Sequence, residues 1–347
     1  MKTCEAIIFT AHFTFALIQC VGSSELKLIF TQVLYRHGER TPLSTYPNDP
    51  YKEDAWPNGF KQLTVEGCRQ QYELGNFLRR KYSKLLSKSY KSHEIYVRST
   101  NTSRTLASAA CNLAGLYRNF QPEPIPIHTV PEEEDFVLLR TGFPCPGYDL
   151  AFKKDSRKVF SKIDKANEDF FKFVSKMSGI RDASTKSIGR LVGALERILI
   201  GTLMKNMKRK VNNFKKEFKK MNMYSTHDGT VMSLMYALGI GNDINPPVGS
   251  CIMFDLYKNS HTDRFYVEIQ FKNDTKKPPI SLILPKCMLR LCPLEKVYKI
   301  FQKISFDHVS ERNEFCSKLN KHSYLEICLT FFVTDVVQFW KFNRNSF

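Results

Sequence analysis

The sequence predicts an α/β fold, and three observations support this. Apolar runs at residues 27–35 and 94–98 are typical of buried strands. Each run is followed by apolar residues at helical spacing, over residues 64–86 and 102–116. A chain that alternates strands and helices in this way predicts parallel strands joined by helical crossovers on the faces of one sheet.

The later parts of the chain extend this prediction. Residues 151–204 lose strand signals and show helical patterning, which predicts a helical insertion. Next, an apolar stripe covered by lysines predicts the core face of one helix: Met204, Met207, Val211, Phe214, Phe218 and Met221. A strand over residues 221–226 and a helix over residues 230–238 follow. Late strands are predicted at 251–258, 264–272 and 280–285.

The start of the chain is typical of a secretory signal peptide. Residues 6–20 are mostly apolar and follow Lys2, and small residues suited to cleavage come next. We therefore predict a signal peptide over residues 1–23, the alternative being a buried first strand or helix. Eight cysteines remain after it, and some should pair in an oxidising compartment. Glycosylation sequons begin at Asn101 and Asn273.

The charge of the chain limits its partners. Its formal net charge is +18, and most of the excess lies in residues 151–220. Such a block can attract anionic substrates, membrane surfaces or polyanions, although a solvated helical face is the simpler interpretation. The pattern shows no platform of aromatic residues interleaved with the lysines to stack bases, as a single-strand binder requires, so we expect no specific nucleic-acid partner.

The end of the chain is apolar but carries two acidic residues, Glu326 and Asp335. A membrane helix needs about 20 predominantly apolar residues. We therefore predict a docked or poorly ordered tail over residues 326–347, and we expect no membrane anchor.

The residues with the clearest chemistry are 36–42, directly after the first predicted strand. His37 lies between Arg36 and Arg40 in this segment. Fixed cations disfavour a protonated imidazole, and guanidinium forks match phosphate oxygens. A neutral imidazole beside a bound phosphate is a nucleophile. The segment therefore predicts that His37 attacks a phosphate ester.

Further candidates lie at the ends of two other predicted strands. In open α/β sheets, ligands bind outside the carboxyl ends of the strands. We therefore predict that four residues bind phosphate, namely Arg36, Arg40, Arg98 and His227. Asp228 is the predicted general acid for the leaving alkoxide, and later the base that activates water. Because the arginines stabilise the developing charge, we expect no metal and no cofactor.

The chain resembles the histidine acid phosphatases of the prostatic, lysosomal and insect-venom type. The resemblance covers most of the chain after the signal peptide, except the central block and the tail. It rests on residues 25–28, 36–42, 56–60, 62–64, 72–75, 97–100, 124–131, 223–228 and 292–295. It implies that His37 is the phosphorylated residue, that Asp228 is the proton donor, and that the four predicted phosphate-binding residues have that role.

The resemblance also implies an architecture. It implies a histidine-phosphatase-like core sheet flanked by helices, formed by residues 24–140 and 205–325, with a helical cap inserted at 141–204. This cap is shorter than in similar family members, and Cys251 lacks the cap cysteine that would be its partner. The resemblance further implies disulfides between Cys145 and Cys316 and between Cys287 and Cys292. Animal members of the family are often dimers, so homodimers are implied as well.

Two other functions stay open at this point. A catalytically weak secreted protein would keep the phosphate pocket and bind polyanions through the basic block. A mutase of the same superfamily is disfavoured, because Thr41 and Pro42 after Arg40 resemble the phosphatase branch. The leading prediction is a secreted or, alternatively, lysosomal acid phosphatase that hydrolyses phosphate monoesters through a phosphohistidine on His37.

Overall fold

The structure is a computed structural model that describes residues 26–117, 124–139, 157–184, 197–213, 218–241, 244–274 and 277–318. Within these ranges seven strands form one sheet. The strands are β1 Leu26–Arg36, β2 Ile95–Ser99, β3 Met221–Thr226, β4 Cys251–Asn259, β5 Phe265–Lys272, β6 Ile280–Leu282 and β7 Cys292–Pro293. The main helices are α1 Val65–Lys81, α2 Ser103–Leu116, α3 Glu168–Ser178, α4 Arg197–Asn212, α5 Asp228–Ala237, α6 Leu294–Gln302 and α7 Val309–Lys318.

The order of the strands brings three carboxyl ends together. The sheet runs β2-β3-β1-β4-β5-β6, and β7 pairs with β5. The first three strands of this order are parallel, with β3 between β2 and β1, and the others are antiparallel. The residues that follow β1, β2 and β3 therefore emerge at the same edge of the sheet, where ligands of open α/β sheets bind.

Helices cover both faces of the sheet and bury two apolar clusters. On one face, α1 and α2 pack through residues such as Leu74, Leu78 and Leu116. On the other face, α4, α5 and α6 contribute residues such as Leu203 and Phe301. The mixed α/β fold with a central sheet between helices is thus the fold that the sequence predicts.

The main differences from the predicted elements lie around α4. This helix begins at Arg197, so the predicted cap boundary at residue 204 falls inside it. Leu199 and Ile200 are buried in the cluster beneath the sheet, which is why this helix packs with the core. The helix also ends at Asn212, and Met221 opens β3 by pairing with Ile95. The single long helix predicted through Met221 is therefore wrong.

The described residues include only some of the other predicted features. Residues 157–166 and α3 are helical within the predicted insertion. Asn101 and Asn273 both lie on the exposed surface. The predicted signal peptide and tail lie outside the described residues, as do Cys145 and the side chain of Cys316. In the described part of the chain, no helix is both long and apolar enough to cross a membrane.

Two disulfides are present among the described cysteines. Cys287 and Cys292 are bonded to each other, which closes a short loop before α6. Cys68 of α1 and Cys111 of α2 form the second disulfide, although the sequence did not indicate that they are partners. The thiol of Cys251 is free and buried in β4.

Candidate active site

His37 is placed by the end of β1 and by a close contact with α1. Its backbone N–H donates to the carbonyl oxygen of Thr226 at the end of β3, at 2.9 Å. The next residue must be glycine, because a Cβ atom on Gly38 would lie 2.1 Å from the backbone oxygen of Gly67. Thr64 caps α1 by accepting the Gly67 N–H at 3.0 Å. The chain therefore turns sharply after β1 and holds His37 almost fully buried, with 3% of its surface exposed.

The hydrogen bond made by the His37 ring defines which nitrogen is free. Nδ1 of His37 lies 2.7 Å from the carbonyl oxygen of Gly38. A carbonyl oxygen can only accept, so Nδ1 carries the proton of the neutral ring and Nε2 keeps its lone pair. Burial lowers the pKa of His37 to about 4, and the positive charges of Arg36 and Arg104 add to this effect. The ring is therefore neutral at mildly acidic pH.

His227 and Asp228 lie where β3 passes into α5. His227 is the N-cap residue of α5, and Asp228 is its first residue. The positive end of the helix dipole stabilises an anion at this position. The carboxylate oxygen Oδ2 of Asp228 lies 2.7 Å from a guanidinium nitrogen of Arg36, and Oδ1 accepts the N–H of Gly229 at 2.7 Å. Burial acts to raise the pKa of Asp228, but these contacts outweigh it and hold that pKa below its ordinary value.

The two histidines approach each other across the site. The ring centroids of His37 and His227 are 5.6 Å apart, and the rings meet edge to face. The ring nitrogens of His227 face Thr100, at 3.1 Å from its hydroxyl oxygen, and Arg104, at 3.4 Å from its guanidinium. Burial lowers the pKa of His227 to about 3, with the charge of Arg104 as the next cause. This ring is therefore also neutral at mildly acidic pH.

The structure does not bring Arg98, a predicted phosphate-binding residue, to the two histidines. Arg98 lies inside β2, and its guanidinium donates to the buried carboxylate of Asp135 at 2.5 Å. The arginine that reaches the histidines is instead Arg104, in the first turn of α2. The pleat of β2 decides this outcome, since alternate side chains of a strand point to opposite faces of the sheet. The sequence did carry a signal for Arg104, because the first turn of a helix after a parallel strand lies at the carboxyl edge.

Arg36, Arg40 and Arg104, together with the ring of His227, are called the arginine cup below. Charge interactions link Arg40 to Asp228 and to Arg104, so the three guanidinium groups share one region. The Nε atom of each of these arginines is buried and has no hydrogen-bond partner among the described residues, as is also true of Nε of Arg98. Buried donors are nearly always paired in folded proteins. Three such donors around a neutral imidazole fit the oxygens of an anion such as phosphate.

Comparisons with known proteins identify relatives of this chain. The sequence profile of the histidine phosphatase superfamily (branch 2) matches residues 27–178 and 183–272. Lysosomal acid phosphatase of Xenopus laevis is 33% identical, in an alignment that covers 84% of this chain and 79% of that protein. Prostatic acid phosphatase of Homo sapiens is 34% identical, in an alignment that covers 81% of this chain and 86% of that protein.

Solved structures share the fold at lower identity. The apo form of Hafnia alvei phytase has a TM-score of 0.60 at 13% identity, covering 82% of this chain and 98% of its own. Klebsiella sp ASR1 phytase has a TM-score of 0.58 at 16% identity, covering 81% and 96%. At these identities the likeness concerns the fold alone.

Proposed function

Because this chain belongs to branch 2 of the histidine phosphatase superfamily, with acid phosphatases among its relatives, it is a phosphate monoester hydrolase, and we propose that His37 and Asp228 carry out the reaction. The observation that carries this proposal is the arginine cup around a neutral histidine. The buried, unpaired Nε donors supply an anion site, and the free Nε2 of His37 supplies the nucleophile. A carboxyl group beside them supplies the proton.

In the first step, Nε2 of His37 attacks the phosphorus atom of the bound ester. The P–Nε2 bond forms and the ester P–O bond breaks, and the leaving alkoxide takes a proton from Asp228. The arginine cup stabilises the charge that spreads over the phosphoryl oxygens. Because Nδ1 still donates its proton to Gly38, the phosphorylated ring is cationic and remains a good leaving group.

In the second step, Asp228 acts as a general base instead of a general acid. It is now a carboxylate, and it accepts a proton from a water molecule that attacks phosphorus. The P–Nε2 bond breaks and inorganic phosphate forms, so His37 returns to its neutral state. The lowered pKa of Asp228 keeps the carboxyl group ionised at acid pH, and so able to accept this proton.

The proton for the first step arrives with the substrate. Asp228 is ionised in the free enzyme, because Arg36 and the Gly229 N–H hold its pKa low. A phosphate monoester loses its second proton at a pKa of about 6. A monoanionic ester that binds beside ionised Asp228 brings one proton to be shared, and this state is equivalent to a dianionic ester beside protonated Asp228. Activity at acid pH follows from this proton count.

We expect a bell-shaped dependence of kcat/KM on pH. The value of kcat/KM should decrease as the pH is lowered through the His37 pKa of about 4, because His37 of the free enzyme then gains a proton and loses its nucleophilic lone pair. It should also fall above about 6, where the substrate loses the shared proton. The check is kcat/KM for two phosphate esters that differ in their second pKa. If kcat/KM falls on the alkaline side at the same pH for both esters, this proton count is contradicted.

The direct assay of the function is hydrolysis of p-nitrophenyl phosphate by the purified chain at acid pH. Turnover is the expected result. Tight retention on heparin without turnover would instead support a catalytically weak protein that binds polyanions. The named relatives are lysosomal and prostatic enzymes, which supports a lysosomal or secreted location.

A further inference from the structure

The buried ion pair between Arg98 and Asp135 takes no part in the mechanism above. Its two side chains are 17% and 0% exposed, and their closest atoms lie 2.5 Å apart. A buried ion pair requires removing two charges from water, so it is weak evidence for stability by itself. The hydrogen bonds that surround the ion pair indicate a role other than stability.

Those hydrogen bonds connect the ion pair to the strand that bears the proposed proton donor. Oδ1 of Asp135 accepts the backbone N–H of Leu138 at 3.0 Å. The carbonyl oxygen of Leu138 then accepts two hydroxyl groups, from Thr226 at 3.1 Å and from Thr230 at 2.9 Å. All the residues on this path are buried except Arg98, which is mostly buried.

The two threonines stand on either side of the catalytic pair. Thr226 ends β3 directly before His227, and Thr230 lies two residues after Asp228 in α5. The backbone oxygen of Thr226 also accepts the N–H of His37. One carbonyl oxygen, that of Leu138, therefore fixes the backbone on both sides of the proton donor.

We propose that Arg98 and Asp135 are positioning residues for Asp228. The ion pair holds the turn at residues 135–138, the turn holds Thr226 and Thr230, and these hold the carboxyl group at the correct distance from the leaving oxygen. Without the pair, the Leu138 carbonyl is free to move, and the start of α5 moves with it. This inference rests on the proposed role of Asp228, because only a proton donor needs such placement toward the leaving group.

The test uses the different need of two substrates for a proton. An alkyl phosphate releases a strongly basic alkoxide, which needs the proton, whereas p-nitrophenyl phosphate releases a weak base, which does not. The measured quantity is the ratio of kcat/KM for the two substrates. A variant with a smaller folded fraction loses activity equally on both, so this ratio does not change through a purely structural defect.

Two variants interrupt the path at different points. Asp135→Asn removes the charge that holds Arg98, and Thr230→Val removes one hydroxyl from the Leu138 carbonyl with little change of shape. The matched control is Glu94→Gln, which neutralises another buried carboxylate, 3% exposed and paired with Lys220 at 2.6 Å. Glu94 directly precedes β2, so it lies at the opposite edge of the sheet from the site.

We expect both path variants to lower kcat/KM for the alkyl phosphate about tenfold more than for p-nitrophenyl phosphate. The control should leave the ratio unchanged. An unchanged ratio in Asp135→Asn and Thr230→Val would overturn the inference, as would an equal change in Glu94→Gln.

The Asp228→Asn variant separates this inference from the proposed function. It should shift the same ratio by about 100-fold. If Asp228→Asn leaves the ratio unchanged, the proposed role of Asp228 fails. If it shifts the ratio and the path variants do not, the role of Asp228 stands and the positioning role is excluded.

Discussion

Replacing His37 with alanine is expected to lower kcat/KM for p-nitrophenyl phosphate by about 10⁴-fold or more, since loss of a nucleophile removes the covalent path. The arginine cup would still bind phosphate, because its three guanidinium groups lie on other residues. The variant should therefore keep an inhibition constant for inorganic phosphate close to that of the unchanged chain. Steady-state kinetics with phosphate as inhibitor measure both quantities.

The matched control is His261→Ala, which removes an exposed imidazole from the turn between β4 and β5. It should leave kcat/KM within about twofold, as surface changes usually do. Free imidazole in solution should restore part of the turnover of the His37→Ala variant, because the small alanine side chain leaves room for it in the site. Activity of more than a tenth of the original without imidazole would exclude His37 as the nucleophile.

Replacing Arg104 with alanine is expected to lower kcat/KM by about 10² to 10³-fold, the cost of removing one preorganised charge donor. Arg104 lies beside His227 and contributes to the positive field around His37. Its loss should also weaken inhibition by inorganic phosphate, since product and transition state use the same cup. Kinetics of the variant with and without added phosphate test both effects.

The control for Arg104 is Arg69→Ala. Arg69 is an exposed arginine of α1 paired with Glu66, and such surface pairs contribute little. It should leave kcat/KM and phosphate inhibition within about twofold of the unchanged chain. A result in which Arg104→Ala resembles this control would contradict the membership of Arg104 in the cup.

The order of strands and helices around the site could be predicted because the local patterns are strong. The first two strands and their helices differ from the predicted ranges by a few residues at each end. His37, Arg36 and Asp228 could also be placed at one edge, because each follows or ends a parallel strand. The family resemblance read from these segments is confirmed by the superfamily profile.

The errors come from quantities that only three-dimensional packing sets. Whether Arg98 or Arg104 reaches the histidines depends on the pleat of β2 and on the length of the loop before α2. The partner of Arg98, Asp135, lies on a different segment of the chain, and nothing in the sequence links the two. The Cys68–Cys111 disulfide likewise requires the packing of α1 on α2. The spacing of apolar residues continues past Asn212 in the sequence, so it could not show that α4 ends there.

The central claim is that a neutral ring nitrogen of His37 forms a bond to phosphorus inside the arginine cup. The most direct measurement is rapid quenching of turnover with a ³²P-labelled ester, followed by digestion and mass analysis of the labelled peptide. We expect an acid-labile phosphoryl group on His37 that forms and decays fast enough to account for turnover. Label on another residue, or turnover without any labelled enzyme under conditions that trap phosphohistidine, would contradict the claim.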